Sequence, residues 1–98
     1  MIPLSTDDPL EQLATRFARA IAAAFGPDHA GADPQLRPAQ NPRFGDFQAN
    51  AALGLAKALA RPPRDVASAI VRELDLTGIA EAPEIAGPGF VNVRLDRG

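Results

Sequence analysis

The sequence contains no cysteine, tryptophan or tyrosine, and its only histidine is His29. Without cysteine the chain can form neither a disulfide framework nor a thiolate metal site, which suits a reducing compartment. A lone histidine has no second imidazole with which to share a metal ion, so we expect no metal site. No stretch approaches the roughly 18 uninterrupted apolar residues of a membrane span, and the N-terminus lacks a secretory leader. We therefore expect a soluble, cytoplasmic protein.

The usual catalytic patterns are also missing. There is no phosphate-cradling GxxxxGK[ST] loop and no Cys–His pair. Ser5 and Ser68 have no neighbours in the sequence that could activate them as nucleophiles. We expect no catalytic residue and no cofactor in this chain, which is predicted to be a binding module.

The 98 residues, 46% of them apolar, suit one compact domain with a core of small aliphatic side chains. The net charge is −2, but it is unevenly distributed. Residues 34–64 carry +4, whereas the segments before and after them carry −3 each. A small basic patch on an acidic body favours weak, local contact with phosphates over strong non-specific binding to nucleic acid.

The first predicted helix has clear signals at both ends. Asp8 is a candidate N-cap and Pro9 occupies the first helical position. Apolar residues then recur at three- and four-residue spacing as far as Phe25. Gly26, followed by proline, ends the helix.

Two further helices are predicted in the middle of the chain. The second begins near Phe47 or Gln48, with Asp46 as its N-cap, and ends at a proline pair. The third begins at Pro63 and ends before Thr77.

Between Phe90 and Leu95 the side chains follow a two-residue repeat, which predicts a strand. Residues 83–86 form a candidate partner strand, joined to it by the turn Gly87-Pro88-Gly89. An edge strand is expected between Gln35 and Ala39, because a proline within it cannot donate to a sheet ladder. Together these elements predict an α+β fold, a two-layer sandwich in which about three helices cover a small antiparallel sheet.

The segment before the second helix combines aromatic rings with side chains that can read the edge of a base. Phe44 and Phe47 supply the rings. The side chains that could read a base edge are Asn41, Arg43, Gln48 and Asn50. A ring beside amide groups is what recognition of an unstacked RNA base requires. The alternative is that the two rings fill the core while the polar residues form turns or caps.

Three blocks of the sequence resemble the N-terminal additional domain of bacterial arginyl-tRNA synthetases. The blocks are NPRFGDFQANAALGLAKAL, RPPRDVASAIVREL and EIAGPGFVNVRL, and they occur in the family's order at about its spacing. The resemblance covers nearly the whole chain. It implies a two-layer fold that touches the D-loop at the elbow of arginine tRNA and helps recognise a protruding base.

The resemblance also implies roles for individual residues. Asn41 and Phe44 match the polar and aromatic members of the family's base pocket, and Gln48 is a third candidate member. Arg43 and Arg37 would then contact phosphates, which adds affinity and salt dependence without sequence information.

The full family also carries HIGH and KMSKS signatures for ATP binding and a helical anticodon-binding domain, none of which occurs here. We therefore expect residues 1–98 to be a single domain, a fragment of a longer arginine–tRNA ligase. The implied partners are arginine tRNA and the catalytic core of the same enzyme, with no DNA and no membrane; ATP would serve only the full-length ligase. The alternative is a free-standing protein–protein interaction or RNA-binding module of the same fold without synthetase activity.

Overall fold

The computed structural model describes residues 9–29, 31, 33–40, 43 and 45–95. The helices and strands within them follow one another in the order α1, β1, β2, α2, α3, β3, β4, with a short 3-10 turn at Pro27–His29 after α1. Their bounds are α1 Pro9–Phe25, β1 Leu36–Pro38, β2 Phe47–Ala49, α2 Ala51–Leu59, α3 Pro63–Glu73, β3 Glu84–Ala86 and β4 Phe90–Val93.

Helix α1 confirms the first predicted helix. Its inward face buries Leu13, Phe17 and Ile21 almost completely. The helix ends where Gly26 adopts a left-handed backbone (φ +101°) and donates its N–H to the Ala22 carbonyl at 2.8 Å. The predicted N-cap, Asp8, lies outside the described residues.

The predicted start of the second helix is wrong. Residues 47–49 form strand β2, and α2 begins only at Ala51, with Asn50 at the N-cap position but making no side-chain capping bond. Asp46 caps no helix: its backbone N–H donates to the Val93 carbonyl at 2.8 Å, and its carboxylate accepts the Leu95 N–H at 2.8 Å. Pairing with neighbouring strands therefore overrides the local signal for a helix.

Helix α3 begins at Pro63, as predicted, and the proline occupies its first turn. Helix α2 ends at Leu59, and its C-cap residue Ala60 has a left-handed backbone (φ 54°, ψ 45°), so the prolines follow the helix. The inward face of α3 carries the buried residues Val66, Ala67 and Ile70.

The sheet has four antiparallel strands, in the order β1-β2-β4-β3, whereas the sequence predicts three. Strand β1 contains Pro38 and lies at an edge, as expected. The additional strand, β2, lies between β1 and β4 and joins the N-terminal half of the chain to its C-terminal half.

One face of the sheet packs against the helices, which confirms the α+β, two-layer prediction. Ala49, Val91 and Val93 are buried on this face among side chains of all three helices, and Leu36, Phe47 and Ile85 pack against the same cluster. Among the described residues, none of the helices has the length and apolar character of a membrane span.

Candidate nucleic-acid interface

A row of polar side chains crosses the face of the sheet opposite the helices, which we call the open face. In antiparallel strands, residues directly opposite each other share a face. Arg37 on β1 pairs with Gln48 on β2, which pairs with Asn92 on β4, which in turn pairs with Glu84 on β3. The row therefore places a cation at one edge strand, two amides on the central strands and an acid at the other edge.

The two central amides are joined by a hydrogen bond. Gln48 Nε2 donates to Asn92 Oδ1 at 2.8 Å, and the pair is partly buried. This bond uses one N–H of the glutamine and the carbonyl oxygen of the asparagine. Since each amide can make further bonds, the Gln48 carbonyl oxygen and the Asn92 amide group can pair with a ligand. An acceptor next to a donor is the pattern presented by the edge of a nucleobase.

A pocket of about 430 Å³ opens beside this amide pair. Phe90 supplies its aromatic wall and Arg37 its cation, on a largely apolar lining. The lining residues are Arg37, Pro38, Gln40, Gln48, Ala86, Gly87 and Phe90. A ring, an amide and a cation around one concave space can stack on a base, bond its edge and neutralise a phosphate.

The turn between β3 and β4 fixes the aromatic wall. A side chain at Gly87 would lie 3.3 Å from Cδ2 of the Phe90 ring, so the ring rests against the turn. Arg64, at the start of α3, donates a hydrogen bond to the Gly87 carbonyl. The helix layer thereby anchors the turn that precedes Phe90.

The structure brings together two of the predicted site residues, Arg37 and Gln48. Arg43 is exposed in the connection between β1 and β2. Asn41 and Phe44 lie outside the described residues. Phe47 lies on the helix-covered face and packs against the core, so for this ring the core alternative is correct.

Sequence reasoning missed Phe90 and Asn92 as site residues. Both belong to the predicted final strand, and the signal for their position lies in its two-residue repeat. Val91 and Val93 are buried, so Phe90 and Asn92, which alternate with them along β4, face the other side of the sheet. Gln48, the strand partner of Asn92, could not be placed there from the sequence, because its segment is predicted to be helical.

The described residues contain no group of three or more His, Cys, Asp or Glu side chains placed to hold a metal ion. The arrangement on the open face is suited to recognising a planar, hydrogen-bonding ligand.

The chain matches the family model of the arginyl tRNA synthetase N terminal domain over residues 11–95. It is 54% identical over 87 residues to the arginine–tRNA ligase of Synechococcus elongatus, a match that covers 89% of this chain and 15% of that protein. It is 56% identical over 85 residues to the arginine–tRNA ligase of Nostoc sp., covering 87% of this chain and 14% of the relative.

A solved structure shares the fold. The arginyl-tRNA synthetase of Plasmodium falciparum superposes with a TM-score of 0.78 over 97% of this chain and 17% of that one, at 21% sequence identity. At that identity the likeness shows the fold alone. The chain spans about 15% of the length of the curated relatives described above.

Proposed function

Since the chain belongs to the family of arginyl-tRNA synthetase N-terminal domains, we propose that it is the tRNA-docking domain of a cytoplasmic arginine–tRNA ligase. The complete enzyme would use ATP to activate arginine and transfer it to its tRNA. This domain would bind the D-loop at the elbow of arginine tRNA and leave the chemistry to the catalytic core.

The single observation that carries the proposal is the pocket on the open face of the sheet, where a ring adjoins an amide pair. A base protruding from the D-loop would stack on Phe90, and Gln48 and Asn92 would bond its edge. Arg37, on the edge strand, would neutralise an adjoining phosphate. All of these groups face away from the core, so they can contact RNA without disturbing the fold.

The connection between β1 and β2 begins beside the pocket. Its two ends are joined by a hydrogen bond from the Ala39 N–H to the Asp46 carbonyl at 3.0 Å. Gln40, the residue before Asn41, lines the pocket. We therefore retain Asn41 and Phe44 as proposed base contacts, and Arg43 as a proposed phosphate contact.

One stacked base contributes roughly 1–3 kcal/mol, so the 98-residue chain is expected to bind tRNA weakly. The appropriate measurement is an amide-shift NMR titration of the labelled chain with arginine tRNA and with the same tRNA altered in its D-loop. Shifts should cluster on residues 37, 48, 90 and 92 and should disappear with the altered tRNA.

Two substitutions test the stacked ring and the amide. Phe90→Leu keeps an apolar side chain but removes the ring, and it should weaken binding roughly 5- to 150-fold with little loss of stability. Gln48→Ala should also weaken binding, whereas Gln12→Ala makes the same chemical change on α1 and should not. A large fall in melting temperature for Phe90→Leu would mean that the ring is structural. Amide-shift changes that were the same with the unaltered and the altered tRNA would mean that the site is only a generic basic patch.

A further inference from the structure

A second cationic surface lies where α2 meets α3. It consists of Lys57, Arg61 and Arg64, which we call the basic corner; all three are exposed. No Asp or Glu occurs between residues 47 and 64, and Asp65 is the next acid along the chain. The corner therefore concentrates positive charge on a chain whose net charge is −2.

The basic corner adjoins a shallow hollow of about 400 Å³. Its lining is mostly apolar, with two members of the corner among the lining residues, which are Leu53, Ala56, Lys57, Ala60, Arg61 and Pro63. The Arg61 guanidinium lies 5.6 Å from the centroid of the Phe25 ring, which restricts its movement. An arginine held in this way keeps donors free for bidentate contact with phosphate.

The basic corner is continuous with the pocket on the open face. Arg64 donates to the carbonyl of Gly87, which lines that pocket. The same turn packs closely on α3, because a side chain at Gly89 would lie 3.1 Å from the Pro63 carbonyl oxygen. An RNA strand that leaves the pocket over this turn reaches the basic corner directly.

We propose that the basic corner binds the sugar–phosphate backbone of the RNA strand whose base occupies the pocket. Lys57 and Arg61 contact the phosphates, and the apolar hollow accommodates the sugar. Arg64 acts as a positioning residue, since it holds the turn between the two surfaces. This proposal rests on the proposed function and adds a path for the RNA across the molecule.

The test compares two double variants with the same change in charge. Lys57→Gln with Arg61→Gln removes the two proposed phosphate contacts. Arg19→Gln with Arg72→Gln removes two arginines elsewhere, one on α1 and one in the last turn of α3. Arg64 is left intact so that the pocket keeps its shape. Binding of transcribed arginine tRNA is measured by NMR titration at KCl concentrations from about 50 to about 200 mM.

Each phosphate contact to a single strand contributes about 0.7 to the slope of log affinity against log salt, so two contacts contribute about 1.4. Raising the salt fourfold lowers the affinity of both proteins. The fold-loss of affinity should be about seven times smaller for the Lys57 and Arg61 double variant than for the unchanged chain. The control should keep the steeper slope.

Equal slopes for the two double variants would overturn the basic corner while leaving the pocket intact, provided that Phe90→Leu still weakens binding. An unchanged affinity in Phe90→Leu would instead overturn the proposed function. If the basic corner served an acidic protein surface, the double variant would bind tRNA as the unchanged chain does.

Discussion

Gly45 is the residue at which the connection between β1 and β2 meets the central strand β4. Its backbone has φ +94°, and a Cβ there would lie 2.6 Å from the Val93 carbonyl oxygen. Gly45→Ala would therefore incur both backbone strain, of about 1–3 kcal/mol, and a clash with backbone that cannot rotate aside. We expect a loss of at least about 2 kcal/mol in the free energy of unfolding, measured in urea.

Gly78→Ala is the matched control, because Gly78 has φ +85° but a Cβ there would meet no atom within 4 Å. It should incur the backbone strain alone and be the milder change. Equal losses for the two alanine variants would contradict a close approach of Gly45 to β4. The comparison also bears on the site, since Gly45 precedes Asp46, which fastens this connection to the end of β4.

At the scale of elements, Asp75 organises the connection between α3 and β3. Its carboxylate accepts the Thr77 N–H at 3.0 Å, and Arg16 on α1 donates to its backbone carbonyl at 2.8 Å. Hydrogen bonds from Thr77 hold the pKa of Asp75 below its ordinary value, and the positive charge of Arg16 acts in the same direction. Because the folded pKa lies below the unfolded one, the resulting stabilisation is present above about pH 4 and is lost as the pH falls through the folded pKa.

Asp75→Asn should therefore destabilise the chain at about pH 6, and its melting temperature should approach that of the unchanged chain as the pH falls below about 4. Melting curves recorded from about pH 6 to about pH 2.5 measure this convergence. A difference for Asp75→Asn that stayed constant with pH would contradict the role of the carboxylate.

Elements with strong local signals are predictable from the sequence, and β2 is not. Helices α1 and α3 are marked by proline at the first turn and a regular apolar spacing, and β4 is marked by its alternation. Strand β2 has only three residues and precedes an alanine-rich helix. Phe47–Ala49 forms a strand because it pairs with β1 on one side and β4 on the other. A short stretch of sequence around these residues carries no information about this pairing.

The same reason limits prediction of the site. Residue type singles out Gln48 as a side chain that could read a base edge. The family resemblance adds Arg37 as an expected phosphate contact and implies arginine tRNA as the partner. The meeting of these two side chains with Asn92, 44 residues beyond Gln48, depends on the register of β2 against β4. Once that register is known, alternation along β4 places Phe90 on the open face as well. Asn41, Phe44 and Arg43 remain predictions.

At the scale of the whole molecule, the two faces of the sheet have separate tasks. One face and the three helices enclose the apolar core, in which Phe17 is the largest of the fully buried side chains among the described residues. The other face carries the polar row and the pocket. Substitutions on the open face should therefore change RNA binding, whereas substitutions in the core should unfold both layers together.

Phe17→Ala tests the second half of this division. Truncating a buried phenylalanine costs about 3–5 kcal/mol, a large share of the roughly 5–15 kcal/mol that stabilises a domain. Because Phe17 belongs to the cluster that also contains Val91 and Val93 of the sheet, the helical circular dichroism and the amide signals of residues 37 and 48 should be lost at one urea concentration. Leu10→Ala, at a position 37% exposed on the same helix, should change stability by no more than about 0.5 kcal/mol. Sheet signals that outlast the helices would show that the two layers are independently stable, and the pocket would then not depend on the core beneath it.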